Sequence, residues 1–282
     1  MRALPTLVIE PLVRAALRED LGQAGDLTTD SIVPDDQVST VVLVSRERGV
    51  VAGTACAALA WQLVDPRIEV RWAMQDGARV HPGDTIGSAT GPTRGLLSGE
   101  RVALNFLGHL SGVATGTAAI ADAVAHTGAR VVDTRKTIPG LRALQKYAVR
   151  CGGGGNHRFG LDDAVLIKDN HIAAAGGLAE AVTRARANVE HLVKIEVEVD
   201  TLDQLRQLLT LPVDAVLLDN MGPDQLREAV DLVAGRLVTE ASGRITPESA
   251  VAVAESGVDL ISVGWLTHSA RVLDIGLDWP PR

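Results

Sequence analysis

From residue 130 onward the chain repeats one pattern: a short apolar run, a polar cluster, then a helical or turn-rich stretch. The runs are residues 130–133, 164–168, 193–199, 214–219, 236–240 and 259–264, and their starts are about 20 to 35 residues apart, the length of one βα unit. Six such units predict parallel strands. Residues 201–209, 223–233 and 247–256 read as helices; Pro223 and Pro247 open the last two, and Gly257 stops the final one.

The first hundred residues are different. A helix over about 10–21 is mixed with alternating or β-rich runs at 38–45, 50–52 and 68–72, an α+β pattern. Gly77, Pro82 and Gly83 punctuate a tight turn cluster over 76–86. Ser98 and Glu100 open a helix that extends to about residue 126 and carries no charge over 102–121. Asn105, His109, Ser111, Thr115 and Thr117 make it too polar for a membrane span. Gly108, Gly112 and Gly116 line one of its faces, so another backbone is expected to approach closely there.

What ends each apolar run carries the functional signal. In order these are Asp133-Thr134-Arg135-Lys136, Lys168-Asp169-Asn170-His171, Glu198, Asp219-Asn220, Glu240-Ala241-Ser242-Gly243 and Gly264. A parallel α/β sheet places its active site at the carboxyl ends of its strands, so these ends are expected to converge on one mouth. Six strands fall short of the eight of a complete barrel, which predicts an incomplete barrel whose gap is covered by the first domain or by another subunit. A doubly wound open sheet is the alternative.

Composition narrows the ligand. Hydrophobic residues are 46% of 282, enough for a sizeable core, but aromatics are 2%, which argues against stacked-base recognition. The net charge of −8 argues against nucleic acid and anionic membranes as partners. Against that background residues 130–171 hold eight Lys/Arg and four Asp/Glu, a cationic island suited to a small anion. Cys56 and Cys151 form no CxxC and have no metal-site partners, so neither zinc nor a disulfide framework is indicated and a reducing cytoplasm fits. The N-terminus becomes charged too early for a signal peptide and reads as an amphipathic helix.

The mouth therefore presents Arg135, Lys136, Arg158 and Lys168 with the carboxylates Glu198 and Asp219. Fixed cations recognise a multiply anionic substrate; the carboxylates suit Mg2+, sugar hydroxyls or a developing positive charge. Ser242-Gly243 and Val263-Gly264 follow the last two strands, where barrels frequently bind phosphate through loop amides. Residues 152–155, four glycines, fit neither a Walker A loop nor a dinucleotide fingerprint, and are expected to pack closely while aiming Asn156, His157 and Arg158. His109, His126 and His191 read as packing or surface residues.

At these positions the sequence resembles a known family. The stretches 133–142, 146–149, 152–158 and 166–172, with Arg101 in 99–105, 198–200, 217–220, 240–243, Val263-Gly264 and Leu266-Thr267-His268, resemble quinolinate phosphoribosyltransferase, the nicotinate-nucleotide pyrophosphorylase named carboxylating for its reverse direction. The resemblance implies an N-terminal α/β sandwich (residues 1–112, with the tail 270–282 packing back on it) and an incomplete barrel of about six to seven parallel strands (113–269). It implies that quinolinate and phosphoribosyl pyrophosphate become nicotinate mononucleotide, pyrophosphate and CO2 in NAD biosynthesis, in a homodimer with shared sites, dimer versus hexamer being left open. No organic cofactor is expected.

By the same resemblance, Arg135, Arg158 and Lys168 bind the quinolinate carboxylates with help from His157, and Arg101 reaches into the neighbouring subunit's site. Lys136, Glu198 and Asp219 carry the catalysis and engage phosphoribosyl pyrophosphate with its Mg2+, Glu198 and Asp219 serving as the metal's protein ligands. Ser242, Gly243 and Gly264 hold the 5′-phosphate, with Thr134, Val263 and His268 also at the substrates. Arg244 and Trp265 depart from the family pattern and are expected to add a cation to the phosphate site and to narrow the mouth. Three alternatives stay open: a paralogous pyrophosphorylase of molybdenum-transport operons, a phosphate-binding barrel lyase using Lys168 as a Schiff-base nucleophile, and a non-catalytic anion sensor. The intact 166–172 motif favours quinolinate over the first, and retention of Glu198 and Asp219 argues against the last.

Overall fold

The computed structural model describes residues 3–279. In chain order its first elements are α1 (Thr6–Leu21), α2 (Leu27–Ile32), β1 (Val38–Ser45), β2 (Gly49–Val50), α3 (Thr54–Val64), β3 (Glu69–Trp72), β4 (Arg79–Val80), β5 (Thr85–Pro92) and α4 (Thr93–Ala123). There follow β6 (Arg130–Val132), α5 (Arg142–Cys151), β7 (Val165–Ile167), α6 (Asp169–Ala175), α7 (Leu178–Asn188), β8 (Ile195–Val199), α8 (Leu202–Leu208) and β9 (Ala215–Asp219). The last are α9 (Pro223–Val233), β10 (Val238–Ser242), α10 (Pro247–Ala254), β11 (Leu260–Ser262), α11 (Trp265–His268) and β12 (Ile275–Asp278). Among the described residues no helix is long and apolar enough to cross a membrane.

The chain packs as two units that divide within α4 and again on either side of α5. One unit holds the chain up to Ala118, Thr137–Gly153 and the chain from Leu266; the other holds Ala119–Lys136 and Gly154–Trp265. Residues 137–153 join the first unit because α5 buries Leu144, Tyr147, Ala148 and Val149 in its core, beside α4 residues such as Leu110 and Ala114.

In the first unit an antiparallel sheet runs β12-β1-β5-β3, with Val41 and Leu43 of β1 turned into a core that α1, α3 and α4 cover. The central strand β5 lies where the sequence suggests turns and small residues. Its Gly87 lies against the Trp72 ring and a Cβ there would fall 2.7 Å from that ring, so β propensity gives way to cross-strand packing. The glycine face of α4 also has its partner. The Leu273 amide donates to the Gly108 carbonyl at 3.0 Å, and a Cβ on Gly112 would lie 2.0 Å from the Arg271 carbonyl oxygen.

In the second unit six parallel strands run in the order β6-β11-β10-β9-β8-β7. Strands β7 to β11 are neighbours in sequence order and β6 closes onto β11, the order of a barrel opened between β6 and β7. A doubly wound sheet reverses at a switch point, and this sheet does not. At the opening the free edge of β6 is met by the glycine segment: Gly155 donates to the Val131 carbonyl at 2.7 Å and accepts from the Asp133 amide at 3.3 Å.

Gly112→Ala tests the crossing on α4. Alanine favours a helix interior by about 1 kcal/mol, but overpacking costs about 1–3 kcal/mol and the backbone oxygen it meets has no rotamer by which to retreat. A net loss of stability is expected, read as a lower urea midpoint at unchanged slope.

Candidate active site

The period of two in a β-strand decides which residues reach the cavity. In β8, Ile195, Val197 and Val199 are buried against the outer layer, while Glu196 and Glu198 turn the other way. Register carries this face around the sheet: Glu198 pairs with Leu217, Leu217 with Glu240, and Asp219 with Ser242. These residues, with Leu166 of β7, Ser262 of β11, Lys168 at the start of α6 and with Thr134, Arg135, Lys136, His157 and Arg158, line a cavity of about 390 Å3. The predicted convergence of strand ends is thereby realised for nine of the candidates: Thr134, Arg135, Lys136, His157, Arg158, Lys168, Glu198, Asp219 and Ser242.

The cationic wall is built on a buried aspartate. Asp133, fully buried at the end of β6, accepts the Asn156 side-chain amide at 2.6 Å and the His157 backbone N–H at 2.9 Å, which brings the segment after the glycines to the mouth. Arg158 then donates from Nη1 to the Ala164 carbonyl at 2.9 Å. Burial, followed by the nearby charge of Arg135, lowers the pKa of Arg158. Arg135 Nε is itself buried without a hydrogen-bond partner. Two guanidiniums that repel one another, one with an unsatisfied donor, are an arrangement that an anion relieves. Lys168 is ion-paired with Glu198, whose side chain is 15% exposed. His171 of the same motif turns inward on its own helix, its Nδ1 accepting the Lys168 amide at 2.9 Å.

The opposite rim is held by backbone conformations that few residues adopt. Asn220 has φ +53° and Gly243 φ +109°. The Asn220 side-chain amide donates to Asp219 Oδ2 at 2.6 Å, and its backbone N–H donates to the Ser242 carbonyl at 2.9 Å. A Cβ on Gly243 would lie 2.3 Å from Asn220 Oδ1. Asp219 is thus aimed by the residue after it, and that residue is seated by the glycine.

Other candidates are elsewhere. Gly243, Val263 and Gly264 flank lining residues without lining the cavity, and Val263 is buried with its amide on the Val132 carbonyl at 3.0 Å. Arg244 is exposed at φ +41° and Trp265 does not narrow the mouth: its indole N–H donates to the Ile245 carbonyl at 3.0 Å and ties down the loop after β10. Arg101 is exposed on α4, and His268 is exposed with Nδ1 2.7 Å from Ser269 Oγ; both belong to the other unit. His109, read as a packing residue, is half-buried 3.0 Å from the Gln145 side-chain amide, and burial lowers its pKa.

Sequence reasoning missed Glu196 and the role of Glu240. His157 Nε2 lies 3.0 Å from Glu196 Oε2 and 3.5 Å from Glu240 Oε2, and these three residues form the set among the described residues with metal-ligand spacing, distinct from Glu198 and Asp219. The missing signal was parity. Glu196 shares the inward face with Glu198, and Glu240 shares it with Ser242 once β10 is seen to end at Ser242 rather than at Glu240.

An enzyme of the α/β-barrel class is what this cavity describes, since such folds act at the carboxyl edge of their strands and the cations there select anionic substrates. The Quinolinate phosphoribosyl transferase N-terminal domain matches residues 26–111, and the C-terminal domain of the same name matches residues 113–278. The probable nicotinate-nucleotide pyrophosphorylase (carboxylating) of Bacillus subtilis (strain 168) is 44% identical over 272 residues, covering 96% of this chain and 93% of that protein. The nicotinate-nucleotide pyrophosphorylase (carboxylating) of Mycobacterium leprae (strain TN) is 47% identical over 271 residues, covering 94% and 95%. The crystal structure of NadC from Streptococcus pyogenes matches with a TM-score of 0.95 at 40% identity, covering 100% of both chains. The chain belongs to the quinolinate phosphoribosyltransferase family.

Gly243→Ala places a methyl group against Asn220 Oδ1 at a backbone angle that disfavours alanine, by about 1–2 kcal/mol. Asn220 must move, and Asp219 with it. Turnover is expected to fall by about tenfold or more while the melting temperature drops only slightly; unchanged turnover would show that Asp219 does not depend on this contact.

Proposed function

We propose that the enzyme joins quinolinate to the ribose of phosphoribosyl pyrophosphate and releases pyrophosphate and CO2, forming nicotinate mononucleotide for NAD synthesis. The observation that carries this reading is the Arg135–Arg158 pair, mutually repelling and with a buried unsatisfied donor, at a mouth that also holds the carboxylates Glu198 and Asp219. A pyridine with adjacent carboxylates meets the planar guanidiniums and Lys168; the sugar meets the carboxylates. Family membership and relatives named as nicotinate-nucleotide pyrophosphorylases support it over the molybdenum-operon paralogue, the lyase and the sensor.

The residues divide the work. Arg135, Arg158 and Lys168 orient the pyridine so that its nitrogen faces the ribose C1. The C1–O bond to pyrophosphate breaks as the N–C1 bond forms, and positive charge grows on the sugar where Glu198 and Asp219 stabilise it. Lys136 stabilises charge on the departing pyrophosphate. Mg2+ arrives with that substrate; one or two carboxylates plus phosphate oxygens suit this ion, and the oxygens of Glu198 and Asp219 fit that requirement. Quaternisation makes the ring an electron sink. The C2–carboxylate bond then breaks, CO2 leaves, and the electron pair left on C2 takes a proton from water. Ser242 and the amides beside Gly243 and Gly264 receive the 5′-phosphate. A cytoplasmic location goes with this reading, in keeping with two buried cysteines that form no disulfide.

The test is to supply quinolinate, phosphoribosyl pyrophosphate and Mg2+ and to follow CO2 and nicotinate mononucleotide together. Equal amounts of both are expected, with kcat/KM lowered by about a hundredfold or more in Lys136→Ala. Absence of both from the wild type would refute the reading. The active assembly is proposed as a homodimer in which Arg101 of one subunit completes the other's site. Arg101→Ala and Lys136→Ala chains, each nearly inactive alone, are then expected to recover activity when dissociated and mixed, because one hybrid site carries neither change. No recovery would mean that each chain uses its own Arg101.

A further inference from the structure

Beneath the cationic wall lies a buried acid that the proposed reaction leaves without a task. The Glu240 side chain is 1% exposed, with both its oxygens buried. Those oxygens are fully buried, so Glu240 cannot itself grip a substrate. What it faces is His157, whose Nε2 lies 3.5 Å from Glu240 Oε2 and 3.0 Å from Glu196 Oε2. On the far side of the ring, Nδ1 accepts the backbone N–H of Arg158 at 2.7 Å.

That last bond determines the protonation of the ring. A nitrogen that accepts carries no proton, so the neutral imidazole bears its proton on Nε2, directed at the two carboxyl groups. An imidazolium would forfeit the Arg158 bond. A metal held by Nε2, Glu196 and Glu240 would require the opposite tautomer, with Nδ1–H set against the Arg158 N–H, whereas a ligating histidine uses its second N–H to donate to an acceptor. The spacing suits a cation, but the tautomer does not. It also leaves His157 no proton to offer a substrate carboxylate, so its contribution to binding passes through Arg158.

We propose that Glu240 is a positioning residue: with Glu196 it holds His157 in the Nε2–H tautomer, and the Nδ1 thereby left to accept fixes Arg158 on the cavity wall. The assignment rests on Arg158 as an anchor for a quinolinate carboxylate. Glu240 acts as a neutral acid. Burial and then the charge of Glu196 raise its pKa to about 7, Asp133 adding in the same direction and His157 and Ser262 opposing. The groups around it are Asp133 and His157 beyond β6, Glu196 on β8 and Ser262 on β11; its register neighbours Leu217 and Leu260 are uncharged. As pH rises through that value Glu240 gains a negative charge beneath the cationic wall, which weakens binding of a dianion.

The experiment compares wild type, Glu240→Gln and Glu240→Leu across neutrality. In the wild type KM for quinolinate is expected to rise as pH passes about 7; in Glu240→Gln, which keeps a neutral hydrogen-bonding group, that rise disappears. Glu240→Leu, similar in bulk but unable to hold the ring, is expected to raise KM for quinolinate about tenfold and to leave kcat and KM for phosphoribosyl pyrophosphate within about twofold. Nitrogen-15 NMR of the His157 ring gives a readout independent of turnover: Nε2 protonated and Nδ1 bare in the wild type, a mixture of tautomers in Glu240→Leu. Unchanged KM for quinolinate in a folded Glu240→Leu, or a pH rise that survives in Glu240→Gln, would overturn the proposal. So would a protonated Nδ1, or one equivalent of divalent metal that copurifies with the wild type and is lost with Glu240→Gln. If the wild type transferred no phosphoribosyl group, the reaction would be refuted while the ring spectra still decided the tautomer.

Discussion

A parallel strand turns alternate side chains to opposite faces, and neighbouring strands held in register must agree on which face is which. In the second unit that agreement places Glu198 beside Leu217, Leu217 beside Glu240, and Asp219 beside Ser242, all on the inner face. The residues one position along, Val197, Val216, Leu218 and Ala241, are buried on the other side. A slip of one residue in β8 or β9 would exchange a carboxylate for a valine or leucine. The apolar outer layer therefore protects the register on which the chemistry depends.

Charge is arranged in depth on that inner face. Arg135, Lys136, Arg158 and Lys168 stand at the mouth, and Asp133, Glu196 and Glu240 lie beneath them. Bare guanidiniums placed so near one another raise each other's energy, and desolvation adds to the cost, as the lowered pKa of Arg158 records. The charges of Asp163 and Glu196 offset part of that cost. The ion pair between Lys168 and Glu198 likewise keeps both side chains in place.

Aim comes from backbone groups as much as from side chains. Asp133 holds the 156–157 segment through an amide and a backbone N–H, Asn220 aims Asp219, and Trp265 ties the 245 loop. Gly243 and Asn220 occupy left-handed conformations that most residues resist, a local strain that the surrounding bonds sustain.

Much of this was legible in the chain. The rhythm of apolar runs predicts the six parallel strands, because burial against helices demands short apolar segments and a crossover demands their spacing; the strand-end residues announce an anion site, because polar side chains have no other place in such a sheet. Local pattern could not say that Thr85–Pro92, rich in glycine and small residues, would form the centre of a sheet, that Trp265 would bond a loop instead of lining the mouth, or that Glu196 and Glu240 would meet at His157. Each of these depends on groups far apart in the chain. Sequence determined the elements and the chemistry they carry, through periodicity and residue type; tertiary structure alone decided which carboxylates became buried neighbours of one histidine, because only packed register brings β8 and β10 to the same point.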